Sequence, residues 1–189
     1  MDERPDEVLV DDARRGRTEA FSELARRHRE RIFRLVYGMT RNRSDADDLS
    51  QEVFMTAFRS ISGFGGKSSF YTWLYRIAVN RTLNFLRERG PEKVRVEFDE
   101  NTASGGAPAE SSPEARSIDG ELRSRLAEAV DALPPHFKAS FLLVVDQGLS
   151  HAEAARALGC SENTVSWRMH KARKLLQARL KPYVSEVRT

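Results

Sequence analysis

Residues 161–181 hold a concentration of positive charge in a chain whose net charge is only +3. One face of this segment is apolar at helical spacing, which predicts burial of Val165, Met169, Ala172 and Leu176. The remaining faces carry six basic residues, Arg168, Lys171, Arg173, Lys174, Arg179 and Lys181. Glu162 is the single acid of the segment. Because neutralised phosphates release condensed counterions, such a helix favours DNA binding over an ordinary solvated basic face.

The residues before this helix strengthen the prediction. Ser150 and Glu153 have the spacing of a capping box, Gly159 stands where a helix C-cap glycine belongs, and Ser161 can cap the last helix. A short helix, a tight turn and a longer helix form a helix-turn-helix. The side chains early in its second helix would meet base edges in the major groove: Ser166, Trp167, Arg168 and Lys171. For the apolar Trp167, partial burial in the core is an equal alternative.

A second pattern is an acidic stripe in the first half of the chain. Asp45, Asp48 and Glu52 fall at i, i+3 and i+7 on one helix face, with Gln51 beside them. The spacing leaves two interpretations open, a solvated helix face and a docking surface for a basic partner.

A glycine-rich loop over residues 62–69 precedes an aromatic-rich helix. The spacing predicts that this helix is held in the core mainly by Phe70, Trp73, Leu74 and Ile77. Tyr71 and Tyr75 lie four residues apart and are predicted to be exposed.

No pattern predicts an enzyme, a metal site or a cofactor. The four histidines lack cysteine or carboxylate partners at metal-ligand spacing, and the chain has no phosphate-cradling Gly-Lys loop. The single cysteine, Cys160, is predicted to be a small buried residue of the helix-turn-helix turn. No apolar run is long enough to cross a bilayer, and the acidic start has no secretory h-region, so a cytoplasmic location without membrane insertion is expected.

The supporting elements predict an all-α fold of two small helical domains. Helical patterns run from Thr18, from Ser44 to about Ile61 and from about Ser68 to Arg89, with a capping box expected at Ser44. Helices resume with an apolar stripe ending at Leu133, a second helix over 137–147 and the helix-turn-helix to about Leu180. Between them, residues 91–118 are rich in acids, glycine and proline and predict a flexible acidic linker. The predicted domains are therefore 1–90 and 119–189.

Three motifs resemble the extracytoplasmic-function (ECF) sigma factors of bacterial RNA polymerase, especially the sigma-E type. They are DADDLSQEVF at 45–54, FYTWLYRIAVN at 70–80, and the series LPP, GLS, NTV and HKAR between 133 and 173. The resemblance covers nearly the whole chain except the linker. It implies that 1–90 is sigma region 2, that 119–189 is sigma region 4, and that the factor needs no cofactor.

The resemblance also implies roles for individual residues. The row that would dock on the clamp helices of the largest polymerase subunit is Asp45, Asp48, Gln51 and Glu52. By the resemblance, Phe64, Lys67 and Asn80 would line the site that holds a base of the melted −10 element. The predicted exposure of Tyr71 and Tyr75 and the charge of Arg76 add these three residues to the −10 surface. The residues that would contact the −35 element are Thr164, Ser166, Trp167, Arg168, Lys171 and Arg173. The bulky Trp167 departs from the smaller or basic residues usual there and leaves the promoter preference open.

The resemblance further implies that region 4 contacts the polymerase flap, and that an anti-sigma protein controls the factor in a stress or envelope response. Two other functions remain as alternatives. An autonomous helix-turn-helix repressor would bind duplex DNA without polymerase and would not need the acidic stripe. A hydrolase centred on Cys160 and a histidine would need a motif that the sequence lacks.

Overall fold

The computed structural model describes residues 4–90 and 113–186, which form eight α-helices and no strand, so the predicted all-α class is confirmed. The N-terminal bundle contains α1 (Asp6–Arg14), α2 (Thr18–Thr40), α3 (Arg43–Ser60) and α4 (Phe70–Arg89). The C-terminal bundle contains α5 (Pro113–Asp131), α6 (Pro135–Phe141), α7 (His151–Leu158) and α8 (Glu162–Glu186). Residues 91–112 of the predicted linker lie outside the described residues, and 113–118 are the start of α5.

The N-terminal bundle is organised around α2, which packs against α1, α3 and α4. Its apolar face is fully buried at Leu24 and Leu35, which share one core cluster with Val53 of α3 and Leu74 of α4. Burial of such side chains contributes roughly 1.5–3 kcal/mol each, so the predicted apolar stripes account for the bundle. The one buried carboxylate of α1, Asp12, accepts hydrogen bonds from two arginines at 2.6 and 3.0 Å.

The start of α3 differs from the prediction. Asn42, not Ser44, is the N-cap residue, and its side-chain oxygen accepts a hydrogen bond from the Asp45 amide at 3.0 Å. Arg41 ends α2 in the left-handed conformation at φ 54°, and Asn42 is extended. The chain therefore reverses within two residues, and α3 begins before Ser44 can act as its cap.

The helix predicted over 137–147 changes pitch in its middle. After α6, residues 142–146 form a π-helical turn in which the Gln147 amide donates to the Leu142 carbonyl at 2.9 Å. The capping box of Ser150 and Glu153 and the left-handed Gly159 at φ 63° are present as predicted. The predicted cap of α8 is also present, since Ser161 Oγ accepts from the Thr164 amide at 3.1 Å. The last helix continues past the predicted end, through Pro182.

The two bundles pack against each other. The face of α7 lies on α4, and the side chain of Leu142 lies against Gly38 of α2. One cluster of buried apolar residues runs through both bundles. Among the helices of the described residues, none is both long and apolar enough to span a bilayer.

Candidate nucleic-acid interface

The predicted DNA-reading helix has the amphipathic arrangement that its sequence indicates. Val165, Met169 and Ala172 are at most 1% exposed and fix α8 against the rest of the C-terminal bundle. The predicted −35 residues on the outer face are exposed at Ser166, Trp167, Lys171 and Arg173 and half-buried at Thr164 and Arg168. The helix-turn-helix therefore presents a basic outer face while its inner face holds the helix in place.

Trp167 is a large apolar side chain near the start of this face, with 53% of its surface exposed. Its indole packs edge-to-face on Phe137 of α6, with ring centroids 5.5 Å apart and planes at 73°. An aromatic ring held by another ring has few rotamers left to lose on binding. The side chain is thus a positioned apolar group within a polar, basic surface.

Two neighbouring residues contact this face: His151, which the sequence did not single out, and Cys160, which was predicted to be buried. His151, the first residue of α7, places Nδ1 2.9 Å from the Ser166 hydroxyl oxygen. Arg168 Nη1 lies 4.0 Å from the sulfur of Cys160, which is half-buried. The His151 contact was not evident in the sequence because it joins two helices that the turn brings together.

The acidic row of α3 lies on the surface of the N-terminal bundle. Asp48, Gln51 and Glu52 are exposed, whereas Asp45 is half-buried. Two arginines of α4 form ion pairs with the ends of the row, Arg89 with Asp45 and Arg81 with Glu52. These pairs leave Asp48, in the middle, as the acid of the row with no ion pair among the described residues.

The predicted −10 residues divide into an exposed and a buried set. Lys67, Arg76 and Asn80 are exposed, and Asn80 lines a cavity of about 770 Å³ between the two bundles. Phe64 is only 8% exposed and packs on Trp73, with ring centroids 5.0 Å apart. In this structure Phe64 belongs to the aromatic core below the glycine-rich loop.

The prediction that Tyr71 and Tyr75 are exposed is wrong. Tyr75 is 2% exposed, and its hydroxyl donates to Gln147 Oε1 at 2.7 Å. Tyr71 is half-buried, and its hydroxyl donates to a carboxylate oxygen of Glu153. Burial raises the pKa of Tyr75 to about 12. The physical reason for the difference is that α7 and the π-helical turn of the C-terminal bundle cover this face of α4.

A cluster of charges joins the two bundles. The ammonium of Lys138 lies 2.9 Å from one oxygen of Asp131, and Nε of Arg41 lies 2.8 Å from the other. Lys138 also donates to the Met39 carbonyl at 3.5 Å. The available sequence signal was that Lys138 shares helical spacing with the apolar Leu142, which places a charge in a buried stripe.

Comparison with known proteins identifies the two bundles. Residues 24–92 match the family profile Sigma-70 region 2, and residues 123–176 match Sigma-70, region 4. The helix-turn-helix and the acidic row thus stand in a two-part transcription initiation factor of the sigma-70 type.

The relatives narrow this class. The ECF RNA polymerase sigma-E factor of Escherichia coli (strain K12) is 35% identical over 184 residues, which cover 95% of this chain and 96% of that protein. The ECF RNA polymerase sigma factor SigE of Mycolicibacterium smegmatis is 35% identical over 167 residues, which cover 88% of this chain and 64% of that protein. The chain belongs to the ECF family of RNA polymerase sigma factors, and the resemblance seen in its motifs is confirmed.

Two solved structures share the fold. CnrH, in a complex with the cytosolic domain of CnrY, superposes with a TM-score of 0.69 and 25% identity over 94% of this chain and 97% of that one. The sigma factor RpoE of Bartonella quintana, in a complex with the anti-sigma factor NepR, gives a TM-score of 0.64 and 24% identity over 85% of this chain and 96% of that one.

Proposed function

We propose that this alternative sigma factor directs core RNA polymerase to its promoters through three surfaces of its own. The row on α3 docks on the clamp helices of the largest subunit, α4 and the preceding loop hold the melted −10 strand, and the outer face of α8 binds the −35 duplex. The corresponding units are region 2 in residues 1–90, a linker in 91–118, of which residues 113–118 begin α5, and region 4 in 119–189. The factor acts by binding energy, without a catalytic step or cofactor, in the cytoplasm, where the polymerase works.

The observation that carries this proposal is the exposed row Asp48, Gln51 and Glu52 in the same chain as a basic helix-turn-helix. A protein that only binds duplex DNA has no use for an exposed acidic row on a separate bundle. A basic partner surface would attract Asp48 directly and compete with Arg81 for Glu52, since charge complementarity steers association and fixes register.

Two further partners belong to the proposal. Region 4 contacts the polymerase flap, as expected from the family resemblance. An anti-sigma protein controls the factor, which is supported by the complex of the Bartonella quintana relative with NepR. A stress or envelope response is the proposed setting.

Binding to core polymerase tests the docking surface. Labelled full-length chain is titrated with bacterial core RNA polymerase, and binding is followed by fluorescence anisotropy and by co-elution in size-exclusion chromatography. We expect wild-type chain to bind and Asp48→Arg to weaken binding at least about tenfold, because a like charge facing a basic surface costs several kcal/mol.

Asp47→Arg is the matched control, because Asp47 is also exposed and lies one residue away on another face of α3. It makes the same change in net charge and should bind core like the wild-type chain. If both variants weaken core binding equally, the effect comes from net charge alone, and the row is not the docking surface. Failure of the wild-type chain to bind core, together with tight binding to duplex DNA alone, would favour the repressor.

A further inference from the structure

The two tyrosines expected to face −10 DNA are bound by the other half of the same chain. Tyr75 donates to Gln147 at 2.7 Å and is 2% exposed, and Tyr71 donates to Glu153. The tyrosine rings contact each other edge-to-face, with centroids 6.1 Å apart. Bases of single-stranded DNA are held by stacking on aromatic faces, so the buried Tyr75 has no free face to offer and the half-buried Tyr71 has only part of one.

The other proposed surfaces stay open in the same conformation. The groove face of α8 is exposed at Ser166, Trp167 and Lys171, and the α3 row is exposed at Asp48 and Gln51. Contact between the bundles therefore covers the −10 tyrosines and leaves the −35 face and the polymerase row uncovered.

We propose that the C-terminal bundle is a built-in competitor of the −10 strand, whose surface formed by α7 and Gln147 occupies Tyr71 and Tyr75 until the bundles separate. The inference rests on the proposed function, since it assigns the tyrosines to −10 DNA. It sets an order of events: the closed chain can engage core polymerase and −35 duplex, and capture of the −10 strand requires opening.

Other contacts that hold the closed state lie outside the proposed DNA residues. Asp131 joins Lys138 of the C-terminal bundle to Arg41 of the N-terminal bundle, and Leu142 lies against Gly38. The segment 91–112 is 22 residues long and can span at most about 70–80 Å, so the covalent chain permits separation.

Gly38 offers a way to open the chain without touching a proposed binding residue. A Cβ at this position would lie 3.0 Å from Leu142 Cδ1 across the interface. Gly38→Leu places a good helix former within α2 and a large side chain against the other bundle, so it favours α2 and opposes closure. Leu142→Ala in the Gly38→Leu background returns the space and is the matched rescue.

A disulfide closes the chain by the opposite route. The Cβ built at Gly38 lies 3.7 Å from Leu142 Cγ, an atom that a cysteine sulfur would replace. Gly38→Cys with Leu142→Cys, made in a Cys160→Ser background, should therefore form a bond on oxidation that holds the bundles together. The bond forms between two thiols with transfer of two electrons and two protons to added oxidised glutathione, and dithiothreitol reverses it.

The full-length variants are compared in three measurements. Small-angle scattering gives the radius of gyration. Wild-type holoenzyme first selects a −10 sequence and a −35 sequence from random libraries. Fluorescence anisotropy then gives the affinity of each variant for a labelled single strand with that −10 sequence and for a labelled duplex with that −35 sequence. Gly38→Leu should enlarge the radius and bind the single strand at least about fivefold more tightly, because apparent affinity scales with the open fraction. The rescue should return both values toward those of the wild-type chain.

The oxidised double-cysteine chain should lose single-strand binding and recover it on reduction, while its −35 duplex affinity stays within about twofold of the Cys160→Ser parent. The inference would be overturned if single-strand binding changes neither in Gly38→Leu nor in the oxidised double-cysteine chain. If core binding and the Asp48→Arg effect are intact in that case, the proposed sigma function stands. Only the proposal that the C-terminal bundle competes with the −10 strand is then wrong. Loss of core binding by the wild-type chain would instead remove the proposed function itself.

Discussion

The ammonium nitrogen of Lys138 lies 2.9 Å from a carboxylate oxygen of Asp131, and the lysine side chain is only 7% exposed. Burial lowers the pKa of Lys138, and the neighbouring Asp131 carboxylate acts in the opposite direction. Arg41 of the other bundle approaches the second oxygen of Asp131 at 2.8 Å. One carboxylate thus compensates a cation from each bundle.

Removing the charge of Asp131 should destabilise the chain more than removing that of Lys138. Asp131→Asn leaves a buried ammonium without its anion and should cost about 3 kcal/mol, the lower end for breaking a buried pair. Lys138→Met fills the same volume with an apolar chain and leaves the pair of Asp131 and Arg41, so its cost should stay below about 1.5 kcal/mol. Urea unfolding followed by circular dichroism measures both, and equal midpoints for the two variants would contradict this ranking.

Phe64 should have a structural role that Lys67 lacks, although both are predicted −10 residues. Phe64→Ala removes a ring packed on Phe70 and Trp73 and should cost about 3 kcal/mol of folding free energy. Lys67 is exposed, so Lys67→Ala should change stability by less than about 0.5 kcal/mol while weakening single-strand binding. Thermal unfolding separates the two. A Phe64→Ala chain that melts like the wild-type chain would show that the ring does not stabilise this core.

Local sequence patterns predicted the helices and the faces that they bury. The capping box of Ser150 and Glu153 and the turn at Gly159 depend only on neighbours in the chain, and both are present as predicted. The pairing of Tyr71 with Glu153 joins residues 82 positions apart. Helical spacing tells which residues share a face of α4, but not which element covers that face, so the exposure predicted for the tyrosines was wrong.

The cap of α3 shows the same limit over a shorter distance. Ser44 matches a capping pattern, yet Asn42 makes the cap, because the left-handed Arg41 starts the new helix earlier. Asn42→Ala should therefore cost about 1 kcal/mol of stability, and Ser44→Ala less than about 0.5 kcal/mol. Chemical denaturation of the two variants measures the difference. A larger loss of stability in Ser44→Ala than in Asn42→Ala would show that Ser44 caps α3.

Trp167 should give the −35 contact a dependence on thymine methyl groups. Its exposed indole is held by Phe137, and the thymine C5 methyl is the apolar group on base edges in the major groove. Replacing single thymines of a selected −35 duplex by deoxyuridine removes only that methyl. At the contacted position we expect affinity to fall roughly threefold to tenfold, the effect of about one buried methyl group.

Trp167→Ser is the matched variant for this measurement. It should bind more weakly than the wild-type chain and respond equally to thymine and deoxyuridine at every position. Lys171→Ala should weaken binding to both duplexes by the same factor, because a basic side chain responds to charge and hydrogen-bond acceptors. A deoxyuridine effect that persists in Trp167→Ser would assign the methyl contact to another residue.

Acid should open the contact between the bundles through Glu153. The hydrogen bond from Tyr71, followed by those from Ser150, lowers the pKa of the Glu153 carboxyl to about 2 from its ordinary 4.5, and Arg156 adds a smaller effect in the same direction. The Ser150 bonds lie within the capping box and persist when the bundles separate. Only the part of the pKa lowering that comes from Tyr71 therefore depends on contact between the bundles. A lowered pKa means that the carboxylate stabilises the closed state. That stabilisation is complete above the pKa that the carboxyl keeps in the open chain, which the Ser150 bonds hold below 4.5, and it is lost as the pH falls toward 2.

Scattering measurements between pH 7 and pH 2 follow this opening as a rise in the radius of gyration. Glu153→Gln keeps the capping geometry but cannot titrate, and Tyr71→Phe removes the donor. Both variants should therefore show a smaller pH dependence between pH 4.5 and pH 2 than the wild-type chain. An unchanged dependence in both would place the acid response on other carboxylates, and the contact of Tyr71 with Glu153 would then contribute nothing measurable to closure.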